Sequence, residues 1–181
     1  MLRSSSPASL LSAVLLWCAG AAAEARAQVV SETGQRIPAS GPENVARCEP
    51  LLKMMRETLE MAAEISPDTV NDWRTGRILP GCRVTAVGSM RRENPGEENE
   101  VFYYTLLGAG WERTPDPRDR PQEAAIMLRH EGADCFFTPY SGIRLATEAE
   151  FRINQAFTTR PGEFRYSFLA RCVEALPADP R

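Results

Sequence analysis

One histidine and one lysine stand among 181 residues, and that scarcity removes much familiar chemistry at once. A lone imidazole, His130, cannot build a histidine-rich zinc site or an H-E-x-x-H protease helix. Without a second lysine beside Lys53, and with no glycine-rich run ahead of it, the phosphate-cradling G-x-x-x-x-G-K-[ST] loop is missing. No serine lies in a G-x-S-x-G elbow, and no two cysteines are spaced C-x-x-C. An excess of positive charge is lacking too: 21 basic residues face 24 acidic ones for a formal charge of −3, which argues against nucleic acid as a partner. Every basic residue except Lys53 is arginine; this bias suits anion recognition, but also follows from a GC-rich coding sequence.

What is present first is an address. Arg3 precedes an uncharged stretch over residues 8–23, and small residues follow it up to Ala25-Arg26-Ala27. This is the positive, apolar, A-x-A order of a secretory signal peptide, expected over residues 1–27, with Ala23 as the alternative cut. Sixteen uncharged residues fall short of the ~20 apolar residues that cross a bilayer as a helix, so no span is expected once the leader is removed. Trp17 ahead of Cys18 argues against lipidation, because that position takes a small residue.

Cleavage after residue 27 leaves 154 residues and four cysteines, Cys48, Cys82, Cys135 and Cys172. An even count in an exported chain points to disulfides, and three pairings are open. Alternation places Cys82 with Val84 and Ala86, Cys135 with Phe137, and Cys172 with Phe164, Tyr166, Phe168 and Ala170, so these three cysteines face the core. The pairing local in sequence, Cys48 with Cys82 and Cys135 with Cys172, is preferred; each bridge would contribute about 2–4 kcal/mol. No metal or cofactor is expected.

Residues 28–42, rich in Ser, Gly and Pro, read as a tether ahead of a single domain over 43–176. Leu52, Met55, Leu59 and Ala62 recur at helical steps behind Pro50, which predicts a helix there, with Met54 and Met55 as core filler. Ser66-Pro67-Asp68 predicts a second helix through Trp73, stopped by Gly76. A strand follows over 82–89. Asn94-Pro95-Gly96-Glu97 predicts a helix over 97–108, with a hairpin as the competing reading of Val101-Phe102-Tyr103-Tyr104-Thr105. Further strands are expected over 111–114, 124–129, 134–139 and 163–171, with a tight hairpin turn at Glu131-Gly132-Ala133. The prolines at 115, 117 and 121 force an exposed connection over 115–122. Thr147-Glu148-Ala149-Glu150 is a capping box opening a helix over 147–157, and residues 177–181 read as a frayed tail. The sum is an α+β domain: an antiparallel sheet of about four to five strands with helices mainly on one face.

Pro80-Gly81-Cys82-Arg83-Val84, a helix, Gly110-Trp111, Leu128-Arg129, Asp134-Cys135-Phe136 and a closing strand ending in Cys172 follow one another in that order. This arrangement resembles small exported bacterial proteins of unknown function over about half the chain. The resemblance implies a fold and a compartment, and no activity.

Three further groups could carry function. His130 lies near Arg129, Glu131 and Asp134 in sequence, the residue types of an acid/base hydrolase site. Glu93, Asn94, Glu97, Glu98, Asn99 and Glu100 are hard oxygen ligands, but without the alternation and central glycine of a calcium loop they read as a solvated helix start. The loop over 114–123, with Arg113, Arg118 and Arg120 opposite Asp116 and Asp119, could dock a partner as an inhibitor would. Of the aromatic residues Phe136, Phe137 and Tyr140, Phe136 is the candidate platform. With no catalytic set complete, the expectation is an exported bacterial envelope protein, periplasmic or secreted. It would act as a non-enzymatic binding or accessory module for a protein or envelope component. A small hydrolase using His130 and a secreted inhibitor are the alternatives.

Overall fold

The computed structural model describes residues 40–91, 93, 95–114, 126–140, 142–143 and 146–177. The leader, the tether up to residue 39, Asn94, the connection over 115–122 and the tail from residue 178 lie outside them. The domain begins with two short helices, α1 (Pro42–Ala46) and α2 (Glu49–Lys53), and a π-helical turn (Met54–Thr58). Then come β1 (Ala62–Asp72), β2 (Arg77–Met90), α3 (Pro95–Gly108), β3 (Glu112–Arg113), β4 (Ile126–His130), β5 (Ala133–Tyr140), α4 (Glu148–Ala156) and β6 (Phe164–Glu174). The architecture is α+β, with six strands among the described residues rather than four or five, in one antiparallel sheet of order β1-β2-β6-β5-β4-β3.

The last strand in sequence is inserted at the centre. β6 has a neighbour on each side; Tyr166, Phe168, Ala170 and Cys172 are buried on one face, and on the other the buried Ser167, Leu169 and Val173 share the surface with the half-buried Arg165 and Arg171. The main core lies on the first of these faces. Row by row, Val84, Ala170, Phe137 and Ile126 stand side by side across β2, β6, β5 and β4. From above, α3 lowers Phe102, Tyr103 and Leu106 onto them. Phe102 stacks on Phe168 at 4.0 Å between centroids and meets Phe137 edge-on at 5.5 Å. On the other face α4 packs against β1 and β2 through Ala149 and Ile153, started by the capping box in which Thr147 Oγ1 accepts from Glu150 N.

Two predicted helices are corrected. The periodic segment from Pro50 to Ala62 does not run as one helix; it breaks through the π-helical turn, and Glu60 adopts φ 51°, before Ala62 enters β1. Leu51 and Met55 are the residues it buries completely, while Leu52 and Leu59 pack at the margin. The turn is held by Arg56, whose Nε and Nη2 donate to the Ala63 carbonyl at 2.9 and 2.6 Å. The Ser66-Pro67-Asp68 segment is edge strand, not helix. Its β-branched residues Ile65, Thr69 and Val70 favour a pleated surface, and Pro67 sits where its missing N–H is harmless, on a strand paired on one side only.

Gly81 lets β2 bend closely over β6. A Cβ there would lie 2.3 Å from the Cys172 carbonyl oxygen and 3.2 Å from Val70 and Val173. The β1–β2 tip is thereby carried over the second face of the sheet as far as β5, where Arg74 reaches Asp134.

Candidate functional site

Cys48, Cys82, Cys135 and Cys172 form two bridges, Cys48 to Cys82 and Cys135 to Cys172, and all four are fully buried. The first ties the N-cap of α2 to the central sheet, and the second staples β5 to β6. Strand geometry explains why Cys172 joins Cys135 although Cys82 is also directly opposite it. The Cys172 carbonyl turns toward β2, 3.8 Å from Cys82 Sγ, so its backbone groups serve that neighbour. Toward β5 it therefore forms the narrow kind of cross-strand pair, and the Cα–Cα distance is 4.1 Å.

His130 ends β4 with its ring stacked on Trp111, 4.9 Å between centroids and 19° between planes. Nδ1 is 3.4 Å from the Gly110 carbonyl, and Nε2 is 3.8 Å from Glu131, beyond hydrogen-bond length. Asp134, its other acidic neighbour in sequence, pairs in register with Arg129 and projects to the opposite face.

On that opposite face the structure builds a constellation that sequence reading missed. Asp134 is fully buried and accepts from Arg129 Nε at 2.6 Å, Arg129 Nη2 at 3.0 Å, Arg74 Nη1 at 2.6 Å and the Leu176 N–H at 3.1 Å. Arg74, whose side chain is only 3% exposed, also donates from Nε and Nη2 to the buried Asp72 at 2.9 and 3.1 Å, and lies over the Phe136 ring at 4.9 Å. Burial alone would raise the Asp134 carboxyl; the hydrogen bonds from Arg129 and Arg74 outweigh it and hold the group below the usual carboxylate range. Burial likewise opposes the Arg74 charge, and Asp72 and Asp134 reverse that, raising its pKa. Two aspartates, two arginines and a backbone pair thus satisfy one another, an arrangement suited to pinning the hairpin tip to the sheet. The available sequence signal was the turn itself: Asp72 accepts from the backbone N–H of Arg74 at 3.0 Å ahead of Gly76 at φ 65°.

Phe137 is fully buried in the core, whereas Phe136 is half-buried beneath Arg74 and is no open platform. Tyr140 is half-buried at the end of β5. Asn99, one of the candidate oxygen ligands, accepts from the Tyr166 hydroxyl at 2.8 Å, and burial pushes that phenol well above its ordinary range. Among the described residues, the acids between 93 and 100 do not converge on a common point. The docking loop lies outside the described residues apart from Arg113 and Thr114.

A cleft of about 640 Å³ opens between α2, the π-helical turn and the β4–β5 turn. Glu49, Leu52, Lys53, Arg56, Glu57 and Glu131 line it with both signs of charge around a small apolar floor. Its α2 wall begins at Cys48 and is fixed to the sheet by the first disulfide. Among the described residues no helix is long and apolar enough to cross a membrane. No family model matches the chain, and neither a curated protein nor a solved structure matches it.

Proposed function

We propose that this chain works outside the cytoplasm, as a non-enzymatic binding or accessory module of a bacterial envelope whose partner is a protein or an envelope component. The leader sequence and the two bridges support the compartment, since thiols persist as disulfides where the surroundings are oxidising. The observation that carries the binding reading is the cleft beside α2. Its volume falls in the range of about 300–1,000 Å³ typical of ligand sites, and a covalent bridge holds one wall in place before any partner arrives. Mixed charge around Leu52 suits a polar segment with one apolar anchor. His130 lends little to the hydrolase alternative: its ring is packed on Trp111, and its nearest carboxylate among the described residues is 3.8 Å away.

Photo-crosslinkers placed at Leu52 and Glu57 in the full chain, expressed with its leader in the native envelope, test this reading. A discrete adduct is expected from both positions, absent from a crosslinker at exposed Thr69 and lost in Lys53→Glu. Equal capture from Thr69 would overturn the cleft as the binding site. Turnover in a hydrolase panel that disappears in His130→Ala would overturn the non-enzymatic reading. An intact chain in the cytosol, with four alkylatable sulfurs after folding, would overturn the compartment.

A further inference from the structure

We infer that the four cysteines form one exchange unit, in which Cys82 can transfer its bond from Cys48 to Cys172, so that the domain carries a redox-responsive rearrangement in its core. Cys82, Cys172 and Cys135 occupy one row across β2, β6 and β5, on the face that Cys48 approaches from α2. The Sγ atoms of Cys48, Cys82 and Cys172 all lie within 4.8 Å of one another. The sulfur freed when the first bridge opens therefore already lies close to a sulfur of the second.

The chemistry balances in two steps. Two molecules of an external monothiol reductant of the glutathione class, reaching the buried Cys48–Cys82 bond through local opening of the α2 end, give it two electrons and two protons, leaving two protein thiols and one molecule of oxidised reductant. The Cys82 thiol then loses its proton, and its thiolate attacks Cys172 Sγ. The Cys82–Cys172 bond forms, the Cys135–Cys172 bond breaks, and Cys135 leaves as a thiolate that takes up the proton. No electron is gained or lost in this second step. The product needs little backbone movement, because directly opposed residues on neighbouring strands have Cα atoms about 5.5 Å apart at the wide kind of pair, within the span of a disulfide. Its consequence is directional. The staple moves from β5–β6 to β2–β6, so the flank made of β3, β4 and β5 is left held by hydrogen bonds and packing alone.

The test uses the full chain, titrated with limiting glutathione, quenched in acid, alkylated in denaturant and mapped by mass spectrometry after non-reducing digestion. In the species reduced by two electrons, a Cys82–Cys172 linked peptide is expected together with alkylated Cys48 and Cys135. Amide exchange in that species should quicken over residues 126–140 more than over 62–90. Cys48→Ser provides a second arm, in which the Cys82 thiol faces the intact second bridge. Its population should divide between Cys82–Cys172 and Cys135–Cys172 links. Should that variant fail to accumulate, the wild-type titration decides alone. Recovery of only the two native links throughout would overturn the inference. So would Cys48–Cys135 links as abundant as Cys82–Cys172, since those arise through the unfolded chain.

Discussion

Arg74→Met removes a charge from the buried constellation while keeping most of the aliphatic stem over Phe136. Asp134 retains Arg129 and the Leu176 N–H, but Asp72, fully buried, loses both guanidinium contacts and keeps the backbone N–H of residue 74. Breaking a buried ion pair from one side costs about 3–5 kcal/mol, because the remaining charge is left uncompensated. For a domain of this size each kcal/mol lowers the melting temperature by roughly 2–4 °C, so a fall of about 6–20 °C is expected. Thermal unfolding by circular dichroism under non-reducing conditions measures it. Asp72→Asn added to Arg74→Met removes the orphaned charge and should recover a large part of the loss. A single variant melting within about 2 °C of the wild type, or a double variant no better than the single, would refute this account of what pins the hairpin tip.

The same cluster sets an acid limit. Since the folded Asp134 carboxyl is held below its unfolded value of about 3.9, its contribution is complete above that pH and is lost as pH falls through the lower folded value. The stability gap between wild type and Asp134→Asn should therefore hold from neutrality to about pH 5 and close at lower pH in denaturant titrations. Removing either bridge as a pair of alanines, Cys48→Ala with Cys82→Ala or Cys135→Ala with Cys172→Ala, should cost about 4 kcal/mol by loop-closure entropy, and the two losses should be similar because separations of 34 and 37 residues are alike. Gly81→Ala should destabilise by about 1–3 kcal/mol or more, since the added carbon meets backbone. Gly108→Ala, with open space around it and helix behind it, should be neutral or stabilising; equal effects at the two glycines would contradict the close approach of β2 to β6. Thr147→Ala should cost about 1 kcal/mol through the lost cap of α4.

Legibility along the chain followed the range of the forces. The α4 capping box, the helix ending at Gly108 and the Glu131-Gly132 turn at φ 46° and 77° are stated within a few residues of themselves, and all three stand where the residues place them. Ser66-Pro67-Asp68 misled because a serine, a proline and an acid suit a helix start and an edge strand equally; the partner strand decides which, and β2 lies beyond a turn. The periodic run behind Pro50 misled because amphipathic spacing says which face is apolar, not how far the helix continues. It has to turn at Glu60 for Ala62 to enter the sheet.

The residues by themselves determined the α+β composition, the inward parity of Cys82, Cys135 and Cys172, and the apolar alternation of the closing strand, because each rests on side-chain periods of two or about four positions. Tertiary structure alone decided that β6 lies at the centre, that Arg74 meets an aspartate 60 residues away, and that Cys82 and Cys172, 90 residues apart, face each other across one row of the core. Those meetings depend on strand order and register, which arise only when every apolar face competes at once for the same burial.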